Sequence, residues 1–385
     1  MSGKTFLFQI NVTRDCNLRC THCYISTDKK VQSQYMNEEQ FIEAFSQVVD
    51  FMKKDFSGKK SYSLAEIHVI GGEPTMLGYE FFEKNLPLVR EKLSEIPQDY
   101  RLSIVTNLIT NQAVKIASLF DMVATSYEEK TRFVSKTGEA KPKLAEKWES
   151  NVKKMNQSGH SPTVTMAVTK QAIERGAASL LDYFNKEVGF EKMHLGFFIP
   201  SGDGLVNISD VFPMFHETSQ FMIEATDWYL ERRLENKDMY VNPVESMIES
   251  IYGNEAIDDI VCPIIPGSID IDWDGETVTC IEAGGEVDMT SLGNIFETPI
   301  TEIISSKAYK RERANAIITK PACRGCDELM SCQSACGVLH QYWNGRGECP
   351  GFKSFIKYIR FQVEVNGIKP KSVIYREERQ KSAGC

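Results

Sequence analysis

The sequence predicts an α/β fold, a parallel sheet wrapped into a partial (β/α)6 barrel of TIM-like character, followed by a small cysteine-rich domain. Three observations predict it. Over the first half of the 385-residue chain, strand-like apolar runs alternate with segments of helical periodicity, the pattern of a parallel sheet with helices outside it. The eleven cysteines are unevenly placed: three by position 23, none from 24 to 261, seven from 262 to 349, and one at the last residue. Finally, the motifs that could carry chemistry follow the ends of predicted strands, where ligand-binding groups of such sheets gather. Six strand–helix units are too few for a closed eight-stranded barrel, so the barrel is expected to be open on one side.

The first strand is read over 5–12 and runs directly into a cysteine loop. An amphipathic helix follows, with Asn37 as its N-cap, Gln40 three residues on, and Met36 placed to staple against Phe41. Phe41, Phe45, Val48, Val49 and Met52 form its apolar face. A second strand at 66–70 ends in Gly71-Gly72-Glu73-Pro74, and a helix over 78–93 is expected to kink or break at Pro87. Further strands are read at 102–106, 122–125, 163–168 and 192–199, with helices near 111–119, 143–157 and 172–186. The charged stretch 127–142 reads as a long surface connection. Residues 209–252 read as helical, with Phe212, Phe215, Phe221, Met222 and Ile223 packing back on the sheet. The expected organisation is a barrel over 1–208, a helical bridge over 209–258, the cysteine-rich domain over 259–360 and a C-terminal tail over 361–385, with Cys385 a free thiol.

Composition is ordinary, at 42% apolar and 25% charged residues, and no apolar run is long enough for a bilayer span. No signal-peptide pattern opens the chain, so the expected location is cytoplasmic, with no membrane partner. A net charge of −9 argues against nucleic acid as a partner, since phosphate binding leaves a basic footprint. The mixed-charge stretch 369–381 is expected to be solvated. Eleven cysteines in such a chain point to metal or redox chemistry rather than disulfides.

Cys16, Cys20 and Cys23 stand at a three-residue and then a two-residue spacing. Three thiolates can hold three irons of a cubane cluster and leave the fourth iron open to a cofactor or substrate. Structural zinc normally takes four protein ligands, and no fourth cysteine lies nearby. His22 reads as a spacer. With Tyr24 following the third cysteine, this motif resembles that of the radical SAM superfamily, whose open iron chelates S-adenosylmethionine. Gly71-Gly72-Glu73-Pro74 resembles the turn with which that family binds the amino group of the cofactor. Its glycines permit close backbone approach, and Glu73 offers an acceptor to a cation. The same resemblance carries Thr106 and Ser126 to positions contacting the methionine carboxylate and the ribose, and Tyr24 to the adenine. It implies reductive cleavage of the cofactor to a 5′-deoxyadenosyl radical that abstracts hydrogen from the substrate.

Downstream, Cys262 is followed after twelve residues by Gly275 and after four more by Cys280; then come Cys323, Cys326, Cys332, Cys336 and Cys349. Asp274-Gly275 between two short strand-like runs reads as a hairpin turn. Cys323-x2-Cys326 taken alone would suit zinc. The full set resembles the seven-cysteine signature of the SPASM domain, which carries two auxiliary four-iron clusters, three [4Fe-4S] clusters in all. By that resemblance Cys323, Cys326, Cys332 and Cys349 complete one cluster. Cys262, Cys280 and Cys336 hold the other, whose fourth ligand is an oxygen or nitrogen group or an open site.

Proteins with the full signature mostly resemble maturases that cross-link or oxidise ribosomally made peptides, and a precursor peptide is the expected substrate. A reductant such as flavodoxin or ferredoxin is implied. Only fifteen residues precede Cys16, so leader recognition would fall to a separate leader-binding protein, to the bridge, or to the substrate's core sequence. Ile281 stands where relatives that oxidise sulfatases carry an Asp, which ranks that activity low. The alternatives are a dehydrogenase or epimerase acting on a small molecule such as a sugar or aminocyclitol, and a non-enzymatic electron-transfer or zinc module. The catalytic base is not identified; Glu282, Asp270 and Tyr127 are candidates by placement.

Overall fold

The computed structural model describes residues 4–30, 34–57, 62–135, 138–257, 260–285, 290–318 and 320–383. Cys385 lies outside them. Six parallel strands form as the alternation predicts: β1 (Thr5–Asn11), β2 (Leu64–Ile70), β3 (Asp99–Thr106), β4 (Met122–Ser126), β5 (Thr163–Val168) and β6 (Lys192–Phe197). Between them run α1 (Glu38–Ser57), α2 (Tyr79–Leu93), α3 (Asn111–Ala117), α4 (Pro142–Gln157), α5 (Lys170–Arg175) and α6 (Ala177–Asp182). The box before α1 closes reciprocally, Asn37 N donating to Gln40 Oε1 at 3.0 Å and Gln40 N to Asn37 Oδ1 at 2.9 Å.

Of the kink or break expected at Pro87, no break forms, and α2 is continuous through it. Pro87 offers no donor to the Glu83 carbonyl, and both residues lie on the exposed face of the helix. The helix expected over 172–186 is instead divided at Gly176, whose φ is +85°, and ends in a π-helical stretch, Tyr183–Val188.

The bridge is not wholly helical. After α7 (Gly202–Val206), α8 (Ile208–Val211) and α9 (Phe215–Arg232), the chain forms β7 (Tyr240–Asn242), which pairs in parallel with β6, and only then α10 (Val244–Tyr252). Phe221 and Met222 are buried as expected. The hairpin comprises β8 (Ser268–Ile271) and β9 (Thr277–Val278), turned at Gly275 with φ +89°. β8 also pairs in parallel with β1, so the open sheet has nine strands in the order β7-β6-β5-β4-β3-β2-β1-β8-β9. The return strand expected to reach Ile281 stops at Val278, and Cys280 caps α11 (Ile281–Gly284).

The remaining helices are α12 (Ile300–Ser305), α13 (Lys307–Ile317), α14 (Leu329–Cys332), α15 (Lys353–Glu364) and α16 (Lys371–Ala383). Much of the expected tail is helical, as α16, and over 372–380 it is exposed or half-buried. Its first residue is buried, with Lys371 Nζ donating to the carbonyls of Asn236, Lys237 and Met239 and Lys371 N to Glu245 Oε1. No helix among the described residues is long and apolar enough to cross a membrane.

Candidate functional site

The carboxyl ends of β1 to β6 surround a cavity of about 280 Å³. Its walls carry the residues singled out in the sequence: Cys16, Cys20, Cys23 and Tyr24 from the loop after β1, Gly71, Gly72 and Glu73 after β2, Thr106 at the end of β3, and Ser126 at the end of β4. Phe197, Phe198 and Ile199 also line it, as do Ile281 and Glu282, from α11 of the cysteine-rich domain. Two parts of the chain therefore share one site. Pro74 is buried and opens a single 3-10 turn, with Glu73 as its N-cap.

The two glycines permit a close approach, but to the chain itself. A Cβ on Gly71, whose φ is +145°, would stand 2.1 Å from the Thr13 carbonyl oxygen, and one on Gly72 would stand 2.1 Å from that of Asp15. Gly72 N donates to Thr13 O and Glu73 N to Asp15 O, both at 2.8 Å. The turn after β2 is thereby clamped to the backbone entering the cysteine loop. Glu73 is likewise engaged internally. Its Oε1 accepts from Thr75 N at 3.1 Å and from Thr106 Oγ1 at 2.7 Å, and its Oε2 accepts from Asn107 N at 2.7 Å. Ser126 Oγ lies 3.2 Å from Thr165 Oγ1.

The cysteine loop is held from outside by the segment expected to be a surface connection. Tyr127, Glu128, Thr131, Phe133 and Val134 are all buried. Thr21 N donates to Thr131 O at 3.0 Å. His22 is more than a spacer: Nε2 lies 2.9 Å from Glu128 Oε2 and Nδ1 lies 2.7 Å from Thr131 Oγ1. Arg132 Nε donates to the same Glu128 oxygen at 2.5 Å. Burial alone would push the Glu128 carboxyl up, but Arg132 and His22 hold it down at about 2. Sequence reasoning missed this group. Its signal was an i,i+4 acid–base pair, Glu128 and Arg132, set among apolar Tyr127, Phe133 and Val134 just past a strand end.

A second buried charge cluster joins the barrel to the hairpin. Arg14 Nε donates to Asp272 Oδ1 at 2.8 Å and Nη2 to Asp270 Oδ2 at 3.2 Å. Asn11 also donates to Asp270. Burial pushes the Asp270 carboxyl up to about 7, although Arg14 pulls it the other way. Of the three candidate bases, Asp270 is 1% exposed and held in this cluster, and Tyr127 is buried with its hydroxyl donating to Glu129. Glu282 alone of them lines the cavity, with Ser201 Oγ donating to its Oε2.

The downstream thiols fall into two groups. Cys332 interacts electrostatically with Cys349, Cys323 and Cys326, whereas Cys336 interacts with Cys262, and Cys280 with Cys336. Gln333, Ser334 and Ala335, all at φ between +47° and +69°, separate Cys332 from Cys336 with a left-handed stretch that these residue types adopt only at a cost.

The residues fit four-iron clusters. Burial pushes the Cys332 and Cys336 thiols up to about 11 and raises Cys20 and Cys280 further. Such thiols become thiolates when a bound metal supplies the missing positive charge. Among the described residues no three His, Cys, Asp or Glu side chains could hold a single metal ion. A cubane instead takes its thiolates at separate iron corners.

Residues 10–172 match the Radical SAM superfamily, and residues 262–327 match SPASM, an iron-sulfur cluster-binding domain. A cysteine-type anaerobic sulfatase-maturating enzyme of Clostridium perfringens is 32% identical over 100 residues, 25% of this chain. That match spans only 23% of the relative's length. The fold is similar to native anSMEcpe with bound AdoMet and Cp18Cys peptide, at 17% identity and TM-score 0.71 over 93% of this chain and 96% of that one. It is also similar to Streptococcus suis SuiB bound to precursor peptide SuiA, at 17% identity and TM-score 0.60 over 91% of this chain and 74% of that one.

Proposed function

We propose that this chain, a radical SAM enzyme with a SPASM domain, carries out a net two-electron oxidation or a cross-linking of a peptide substrate. The observation that carries the reading is the shared cavity, lined by Cys16, Cys20 and Cys23 from the barrel and by Ile281 and Glu282, which directly follow Cys280. The chemistry supplied there when four-iron clusters and S-adenosylmethionine are bound is a carbon-centred radical that takes one hydrogen atom from the substrate. Cys16, Cys20 and Cys23 would hold the cluster that binds the cofactor. Gly71, Gly72, Glu73, Pro74, Thr106, Ser126 and Tyr24 would shape the cofactor's berth. Glu73 does so indirectly, by fixing Thr106 and Asn107 in place.

After hydrogen abstraction the substrate must lose a proton and an electron to complete its oxidation. Glu282, which lines the cavity, would take the proton. Cys280, two residues before it, would hold with Cys262 and Cys336 an electron acceptor beside that carboxylate; Cys323, Cys326, Cys332 and Cys349 would hold a third cluster. Solved relatives are recorded with peptides, anSMEcpe with Cp18Cys peptide and SuiB with its precursor peptide, which supports a peptide over a sugar or aminocyclitol here. Ile281 in the place of an Asp supports a substrate other than a sulfatase.

The test is anaerobic co-expression with short peptides encoded beside the gene, read by mass spectrometry. A peptide lighter by two hydrogen atoms supports the reading, and unmodified peptides with oxidation of a small alcohol instead would refute it. In the active pair, Glu282→Gln is expected to slow product formation on the order of 100-fold or more. Formation of 5′-deoxyadenosine should change only a few-fold, because the carboxylate acts after cofactor cleavage. Equal losses in both would remove Glu282 from the proton-accepting role.

A further inference from the structure

A buried charge relay stands behind the cysteine loop, and the reaction derived above does not use it. Glu128, 5% exposed, receives His22 Nε2, Arg132 Nε and, at 3.3 Å, the backbone N–H of Ala167. His22 sits between two of the motif cysteines, and its other ring nitrogen is fixed by Thr131. Arg132 is coupled electrostatically to Cys20 and Cys23 as well as to Glu128. Cys20 Sγ also lies 3.5 Å from the Arg132 carbonyl oxygen. Glu128, His22 and Arg132 all reach the cavity wall.

An electron added to a cluster in such a cavity adds negative charge where water screens little. The reduction potential of a cluster depends on net charge and on the groups around its sulfurs. A guanidinium in the wall of the same cavity as those thiolates favours the reduced state. Glu128 fixes that guanidinium in place, and its own charge opposes reduction.

We propose that Arg132, positioned by Glu128 and braced through His22, sets the reduction potential of the cluster held by Cys16, Cys20 and Cys23. This rests on the cluster assignment above and makes Arg132 a positioning and tuning residue. Loss of the cation lowers the potential. Loss of the anion raises it, provided Arg132 stays anchored through its remaining contacts. Arg132→Lys keeps the charge and restores most of the wild-type value.

The experiment is potentiometric titration of the anaerobically reconstituted full-length holoenzyme, followed by electron paramagnetic resonance. The motif cluster is identified as the signal that changes when S-adenosylmethionine is added. Arg132→Gln, with iron content equal to wild type, is expected to hold about tenfold less reduced cluster at a fixed potential, a shift of about −59 mV for one electron. Arg132→Lys is expected to lie much nearer to wild type. An unchanged potential in an iron-replete Arg132→Gln enzyme overturns the proposal. Should that variant fail to take up iron, Glu128→Gln decides instead: a positive shift supports the proposal and no shift overturns it. Absence of any signal responsive to S-adenosylmethionine in the wild type would refute the underlying cluster reading rather than the tuning.

Discussion

Replacing Arg14 with methionine is expected to destabilise the folded chain by about 3–5 kcal/mol, the cost of breaking a buried ion pair by removing one partner. Asp270 and Asp272 are 1% and 2% exposed and share this one guanidinium through its Nε and Nη2. Methionine fills much of the volume but leaves two carboxylates side by side in an apolar setting. β8 carries Asp270, and its pairing with β1 couples the cysteine-rich domain to the barrel, so the hairpin's attachment should loosen first. Denaturant unfolding, with amide exchange along β1 and β8, measures both effects. Adding Asp270→Asn to the Arg14→Met variant should restore part of the loss, because a neutral amide no longer needs a cation. A loss below about 1 kcal/mol, within the range of surface pairs, would show that the cluster does not join the two parts.

The second large effect is expected at Gly71. Alanine there would place a Cβ 2.1 Å from a backbone oxygen at φ +145°. Neither partner is a flexible side chain that could swing aside, so the Thr13 peptide or the whole turn must move. Either movement breaks the 2.8 Å bonds from Gly72 and Glu73 to the cysteine loop. A displacement near 1 Å in a positioning element costs roughly 100-fold in rate. Cofactor cleavage by Gly71→Ala should therefore fall by about that factor, with iron content largely retained. An alanine variant cleaving at the wild-type rate would mean that the clamp does not position the cofactor.

The sequence made the repeating part of the fold legible because each strand of the barrel is a short apolar run ended by a polar or glycine turn. β7 escaped notice because Tyr240, Val241 and Asn242 are three residues between two helices, and their strand character comes from lying beside β6. The hairpin at Asp274-Gly275 was readable from its turn, but the pairing of Ile269 and Asp270 in β8 with Phe8 and Gln9 in β1 was not. Nothing local encodes a contact across about 260 residues of chain. The same holds for the site. Cysteine spacing and the glycine turn announce their chemistry in a few letters, whereas His22 meets Glu128 only once β1 and β4 lie in one sheet. Likewise, the glycines were read as making room for a ligand, and only the fold reveals that the backbone of Thr13–Asp15 occupies much of that room.

The most direct measurement is the iron and sulfide content of anaerobically purified protein, for the wild type and for the Cys16→Ala, Cys20→Ala, Cys23→Ala triple variant. The account predicts about twelve irons per wild-type chain, falling by about four in the variant, with cofactor cleavage abolished. Zinc in place of iron at the downstream cysteines, or a triple variant that still cleaves S-adenosylmethionine, would contradict it.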